Sequence, residues 1–75
     1  MTQYGVALFH TTSAVMRAEK LLMKKGYSTK LIPTPRQFSS DCGIALRFDW
    51  NQSEEVKMAL DEAKVELDAI HYLTG

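Results

Sequence analysis

The chain has a single cysteine among its 75 residues, and this scarcity excludes several kinds of site. One cysteine, Cys42, cannot form a disulfide within the chain, and metal sites built from pairs of cysteines are excluded as well. Because a lone free thiol is typical of proteins in a reducing compartment, we expect a cytoplasmic protein. We expect it to bind no metal and no cofactor.

The chain also lacks an excess of charge of either sign and any long hydrophobic run. Nine basic and nine acidic residues give a formal net charge of zero, so nothing attracts the chain over long range to nucleic acid or to an anionic membrane. No apolar segment approaches the length that spans a bilayer, and the first residues lack the pattern of a signal peptide. We therefore predict a protein that binds neither nucleic acid nor membrane.

Length and composition favour one small globular domain over residues 1–75. Hydrophobic residues make up 45% of the chain and charged residues 24%, which is ordinary for a folded domain. A domain of this size gains little net stability from its core, and a net charge near zero favours self-association. A homodimer is therefore an alternative that the sequence leaves open.

Hydrophobic periodicity predicts four strands and two helices. The strands are predicted over residues 4–9, 27–32, 44–48 and 67–73. The first helix is predicted to begin with Thr11, Thr12 or Ser13 as its N-cap and to end just before Gly26, with Lys24 and Lys25 in its last turn. Ser53 is predicted to cap the second helix, whose first turn is acidic.

The order strand, helix, strand, strand, helix, strand predicts an α+β fold of the ferredoxin-like, split βαβ (βαββαβ) type. Such a fold has a four-stranded antiparallel sheet with both helices on one face. We expect the helix-facing side chains to be Val6, Leu8, Ile44, Leu46 and Phe48. We expect the opposite face to carry Ala7, Phe9, Ala45 and Arg47. A partly apolar open face favours dimerisation or a partner protein.

The connection between the second and third strands is longer and more polar than a simple link requires. It contains two prolines, Arg36, two serines and a Cys42-Gly43 pair. Long connections in small domains tend to carry function. In the predicted topology the end of the first strand lies beside the start of the third, so residues 10–13 and the start of the first helix should lie beside Cys42.

This placement makes Cys42 a candidate nucleophile, because thiolates beside helix N-termini, histidine or arginine are unusually reactive. By strand parity His10 and Cys42 are both expected on the helix side of the sheet. The candidate binding residues are Arg36, Ser39, Ser40, Gly43, His10, Thr11 and Thr12. Gly43 is expected to allow a close backbone approach or a positive φ. The competing interpretation is that Cys42 is a small buried apolar residue, as most free cysteines are.

Several segments carry a resemblance to a known family. They are FHTT at residues 9–12, AEKLL at 18–22 with Gly26, PTPR at 33–36, SS at 39–40 and CGIALRF at 42–48. The chain resembles the small bacterial domains described as "putative selenium/sulfur carrier protein-like". The resemblance implies that Cys42 carries a sulfur or selenium atom as a persulfide or selenopersulfide. The partners it implies are sulfur or selenium donor and acceptor proteins.

Two other functions remain open from the residues themselves. The chain is alternatively an interaction or regulatory module that binds a partner or a small anion, or a thiol redox sensor acting through Cys42. No pairing of a nucleophile with a base and a third orienting residue is evident. We therefore expect no stand-alone enzyme, and at most a sulfur-transfer carrier.

Overall fold

A computed structural model describes residues 3–38 and 42–73 and gives the order of elements that the sequence predicts. The elements are β1 (Tyr4–Leu8), α1 (Thr12–Lys24), β2 (Thr29–Pro33), β3 (Ile44–Asp49), a 3₁₀ turn (Trp50–Gln52), α2 (Ser53–Glu62) and β4 (Ala69–Leu73). The strands form one sheet in the order β2-β3-β1-β4, and every neighbouring pair is antiparallel. The predicted α+β, ferredoxin-like architecture is confirmed.

Helix α1 begins and ends where the sequence predicts. Thr11 is its N-cap, and the Thr11 hydroxyl accepts a hydrogen bond from the backbone N–H of Ala14 at 3.2 Å. The helix closes at Gly26, whose φ of 89° suits a residue without a side chain. The face that packs on the sheet consists of Ala14, Val15, Ala18 and Leu22.

Helix α2 begins differently from the prediction that Ser53 caps it. Ser53 is already helical, and Gln52 occupies the cap position without a side-chain hydrogen bond to the helix. The 3₁₀ turn runs directly into α2, and the Ser53 N–H donates to the carbonyl of Trp50. The backbone of the turn therefore provides the acceptor for the Ser53 N–H, and Asp49 caps the turn itself through Asn51.

The predicted face assignment is correct for β3 and wrong for β1. The register pairs Gly5 with Phe48 and Ala7 with Leu46, and residues opposite each other in a sheet share a face. Ala7 and Phe9 therefore pack with the helices, whereas Val6 and Leu8 point to the other face. Both faces of β1 are apolar, so its own alternation does not determine which face is which.

Gly5 shows how closely the helix-side core is packed. A Cβ atom at this position would lie 2.6 Å from Cζ of Phe48 and 2.7 Å from Cε3 of Trp50. These separations are far shorter than van der Waals contact. The two aromatic rings occupy the space that any other side chain at position 5 would need.

The other face of the sheet is covered, so the predicted open apolar face is wrong. Val6 and Ala45 are completely buried and Leu8 is 1% exposed. Ile32, Ala69 and Leu73 pack beside them on the same sheet, and Phe38 packs against them from outside the sheet. Phe38 comes from the connection after β2, and its ring stacks on His71 with 4.3 Å between ring centroids. The argument for a dimer from an exposed apolar face therefore no longer holds.

Candidate functional site

Cys42 lies just before β3 with its side chain in the helix-side core. It forms no disulfide, is 5% exposed and lies in the same buried cluster as Phe9 and Ala14. Phe9 follows β1 and Ala14 belongs to the first turn of α1. The thiol thus lies where the end of β1, the beginning of α1 and the beginning of β3 meet.

Thr12, the first residue of α1, is in contact with the thiol. Its Oγ1 lies 3.7 Å from Sγ of Cys42, and either atom can act as the donor. The prediction that the start of the first helix reaches Cys42 is confirmed. Because the first N–H groups of an α-helix have no partner inside the helix, this end is suited to negative charge.

Thr34, which is not among the residues that the sequence predicts for the site, holds the backbone of Cys42 and Gly43. Its hydroxyl donates to the carbonyl of Cys42 at 2.8 Å, and its backbone N–H donates to the carbonyl of Gly43 at 3.1 Å. These bonds continue the β2–β3 ladder, whose last pair is Pro33 with Ile44. The available signal was the position of Thr34 directly after a strand that pairs with β3.

Gly43 lies at an uncrowded position of the described chain. A Cβ atom added there would meet no atom within 4 Å. Among the described residues the glycine with a positive φ is Gly26, not Gly43. The predicted positive φ at Gly43 is therefore wrong, and a close approach of its backbone to a ligand stays a prediction.

Residues 4–72 match a family model described as "Putative Se/S carrier protein-like". The chain belongs to this family. The match extends over both helices and includes Cys42, Thr12 and Thr34. Searches of curated proteins and of solved structures gave no match.

The other candidate binding residues of this carrier-family chain lie at different positions in the fold. Arg36 is exposed in a turn in which the Phe38 N–H donates to the carbonyl of Pro35 at 3.1 Å. The Thr11 hydroxyl serves as the cap of α1. Ser39 and Ser40 lie outside the described residues.

His10 contacts Asp68 on the segment that precedes β4. Its Nε2 lies 3.7 Å from Oδ1 of Asp68, and the two side chains are 42% and 31% exposed. Val6 and Leu8, whose strand parity predicts that His10 lies on the helix side, point away from the helices. The parity-based placement of His10 is therefore wrong, and a role for His10 beside the thiol stays a prediction.

Two kinds of feature are absent from the described residues. Within residues 3–38 and 42–73, no group of three histidine, cysteine, aspartate or glutamate side chains is placed to hold a metal ion. Neither α1 nor α2 is long and apolar enough to cross a membrane.

Proposed function

We propose that this protein carries a sulfur or selenium atom on Cys42 and passes it between a donor and an acceptor protein. The observation that carries the proposal is the contact between Sγ of Cys42 and the Thr12 hydroxyl at the start of α1, in a chain of the carrier family. A hydroxyl at a helix start provides hydrogen bonds to an anionic sulfur.

The transfer is an exchange at a sulfur–sulfur bond. The thiolate of Cys42 attacks the terminal sulfur of a donor persulfide and forms a new sulfur–sulfur bond. The bond between the donor's two sulfur atoms breaks, and the donor leaves as a thiolate. The proton on the terminal sulfur stays with that sulfur or is lost to solvent. In the second step an acceptor thiolate attacks the outer sulfur of the Cys42 persulfide, and Cys42 leaves as a thiolate. No net oxidant is needed, and selenium takes the place of the terminal sulfur in the selenopersulfide.

The environment of Cys42 suits a carried atom that must not be lost on the way. A second cysteine in the chain could attack a persulfide on Cys42, form an intramolecular disulfide and release the outer atom. Cys42 is the one cysteine of the sequence, so this loss cannot occur. With only 5% of Cys42 exposed, free thiols in solution have little access to the inner sulfur. A donor or an acceptor, whether a protein or a small persulfide or thiol, has to approach the sulfur from the surface around Thr12 and the connection after β2.

Thr12 and Thr34 have different parts in this proposal. Thr12 contacts the sulfur itself, whereas Thr34 holds the carbonyl of Cys42 and so positions the residue. Arg36, Ser39, Ser40, Gly43, His10 and Thr11 remain proposed binding residues for a donor or an acceptor. Of these, Arg36 is a cation in the same connection as Cys42, where it can attract an anionic persulfide.

The proposal is tested by loading the protein in solution. Wild-type protein is incubated with glutathione persulfide, and its intact mass is measured after removal of the donor. We expect a gain of one sulfur atom per chain, removed again by cyanide, which takes the outer sulfur as thiocyanate. Cys42→Ser, checked by circular dichroism for a native fold, should gain nothing. Failure of the folded wild-type protein to load, or loading of Cys42→Ser, would overturn the proposal.

A further inference from the structure

A polar cavity lies toward the end of the sheet that is away from Cys42. It has a volume of about 290 Å³ and lies against the carboxyl end of β3, whereas Cys42 precedes the amino end of that strand. The polar side chains on the Lys30 and Arg47 side of this cavity are two cations, two hydroxyl groups and one carboxylate, namely Lys30, Arg47, Tyr4, Ser28 and Asp49. Nothing in the carrier chemistry uses these residues.

The two cations of this cavity are direct cross-strand neighbours. Lys30 on β2 pairs with Arg47 on β3, so the two side chains leave the sheet on the same face. Like charges directly opposite each other destabilise a sheet. Among the described residues neither cation forms an ion pair with a carboxylate. An anion between them would remove this repulsion.

The guanidinium of Arg47 is held in place before any ligand arrives. It lies 4.1 Å from the centre of the Tyr4 ring, on the neighbouring strand β1. Stacking on an aromatic ring leaves the edges of the guanidinium plane, with their N–H donors, directed away from the ring. Binding of a ligand therefore costs little side-chain conformational entropy at Arg47, because its guanidinium is already held against Tyr4 in the folded chain.

Hydroxyl groups add uncharged donors to the same cavity. Ser28 and Tyr4 each bring one to its lining. Thr29 also lines the cavity, but it pairs with Phe48, so its side chain leaves the sheet on the helix side and not beside Lys30 and Arg47.

The single carboxylate limits the charge of a suitable ligand. Asp49 is engaged as the cap of the 3₁₀ turn, where its Oδ1 accepts the N–H of Asn51 at 3.0 Å. Two cations against one carboxylate favour a small anion over a polyanion. Because donors come from β1, β2 and β3 and include hydroxyl groups as well as cations, they suit a tetrahedral oxyanion better than a planar one.

We propose that this cavity, between Lys30, Arg47 and Tyr4, binds a small phosphate-type oxyanion, either inorganic phosphate or the phosphate of a small monoester. The site is separate from Cys42 and does not depend on the carrier function. Phosphate binding should therefore be the same in Cys42→Ser as in the wild-type protein.

The test is an NMR titration of the amide resonances of the ¹⁵N-labelled protein in a phosphate-free buffer at low salt. Inorganic phosphate, glycerol phosphate and acetate are added in separate experiments. We expect saturable shifts with phosphate and glycerol phosphate, centred on Lys30, Arg47 and Asp49, that weaken as chloride is raised. Tighter binding of glycerol phosphate identifies a monoester as the ligand type, and equal binding identifies the bare ion. Acetate binding as tight as that of phosphate would overturn the assignment to a tetrahedral oxyanion.

Neutral variants test whether the two cations are responsible. Arg47→Gln and Lys30→Gln should each weaken phosphate binding about tenfold, the scale of one charged hydrogen bond. Lys20→Gln on the exposed side of α1 removes the same charge and should change nothing. Lys30 is exposed, so Lys30→Gln decides the question even if Arg47→Gln loses its fold with the Tyr4 contact. Absence of saturable shifts, or unchanged binding in Lys30→Gln, would contradict the proposal.

Discussion

The two faces of the sheet are both buried, but different kinds of structure cover them. On one face Phe48 is 1% exposed among side chains from both helices. On the other, Phe38 lies over Val6, Leu8 and Ala45 and is itself only partly buried. Phe38 comes from an irregular connection, and three residues separate it from Cys42.

Because of this difference, we expect the helix face to determine the stability of the domain and the second face to affect access to the Cys42 thiol. The helix face is held by regular elements whose loss unfolds the domain. The second face is held in part by the connection that leads to Cys42, so weakening it should alter access to the thiol before it unfolds the chain. The same substitution on the two faces should therefore have different consequences.

The largest expected effect is on the helix face. Phe48→Ala should lower the free energy of unfolding by about 3–5 kcal/mol, because it removes a fully buried aromatic ring and leaves a cavity. Urea unfolding followed by circular dichroism measures this loss, with Phe48→Leu as the milder variant if Phe48→Ala does not fold. A loss below that of Phe38→Ala would show that the helix face is not the more important one for stability.

A smaller effect on the same face is expected from adding a single methyl group. Gly5→Ala should cost about 1–3 kcal/mol, because the new Cβ overlaps the rings of Phe48 and Trp50. Gly43→Ala is the matched control, since a Cβ there meets no atom within 4 Å. Thermal unfolding of the two variants gives the comparison. Equal stability of both variants would contradict the close packing described at Gly5.

On the second face, Phe38→Ala should cost only about 1–2 kcal/mol, from the ring stack with His71 and a partly buried side chain. The larger consequence of Phe38→Ala should be faster alkylation of Cys42 by iodoacetamide under native conditions. The rate is measured from the intact mass of the protein over time. Phe48→Leu serves as the control for a general loss of stability. If alkylation accelerates equally in both variants, Phe38 has no particular control over the thiol.

The smallest expected change in stability is at Thr12. Thr12→Val removes the hydroxyl beside Sγ and should slow alkylation of Cys42 by roughly two- to tenfold, the range expected for one hydrogen bond. The neighbouring Thr11→Val should instead lose about 1 kcal/mol of stability with the helix cap. An unchanged alkylation rate in folded Thr12→Val would show that the Thr12 hydroxyl does not affect the reactivity of Cys42.

The sequence predicts the order of elements and the meeting of α1 with Cys42 because these depend on local patterns and topology. Thr11 can be predicted as an N-cap because it directly precedes the apolar stripe of a helix. The face of β1 is not predictable from its own residues, since Val6 and Leu8 are as apolar as Ala7 and Phe9. The pairing of Gly5 with Phe48 decides it, and register is a property of two strands.

Thr34 was missed for a related reason. A threonine in a polar connection has no mark that separates it from its neighbours, and its bonds to Cys42 and Gly43 exist only once β2 and β3 are paired. The sequence misplaces the start of α2 because the 3₁₀ turn runs directly into the helix and leaves Ser53 already helical, which no local pattern of capping residues indicates.

The most direct test of the central claim is to follow the sulfur through one complete transfer. Protein loaded with one sulfur at Cys42 is freed of donor and mixed with an excess of a small acceptor thiol, and its intact mass is recorded over time. The account predicts that the mass returns to that of the unmodified chain while the acceptor gains the sulfur, and that the same protein loads again. A sulfur that stays on Cys42, or a chain that cannot be loaded a second time, would contradict a carrier role.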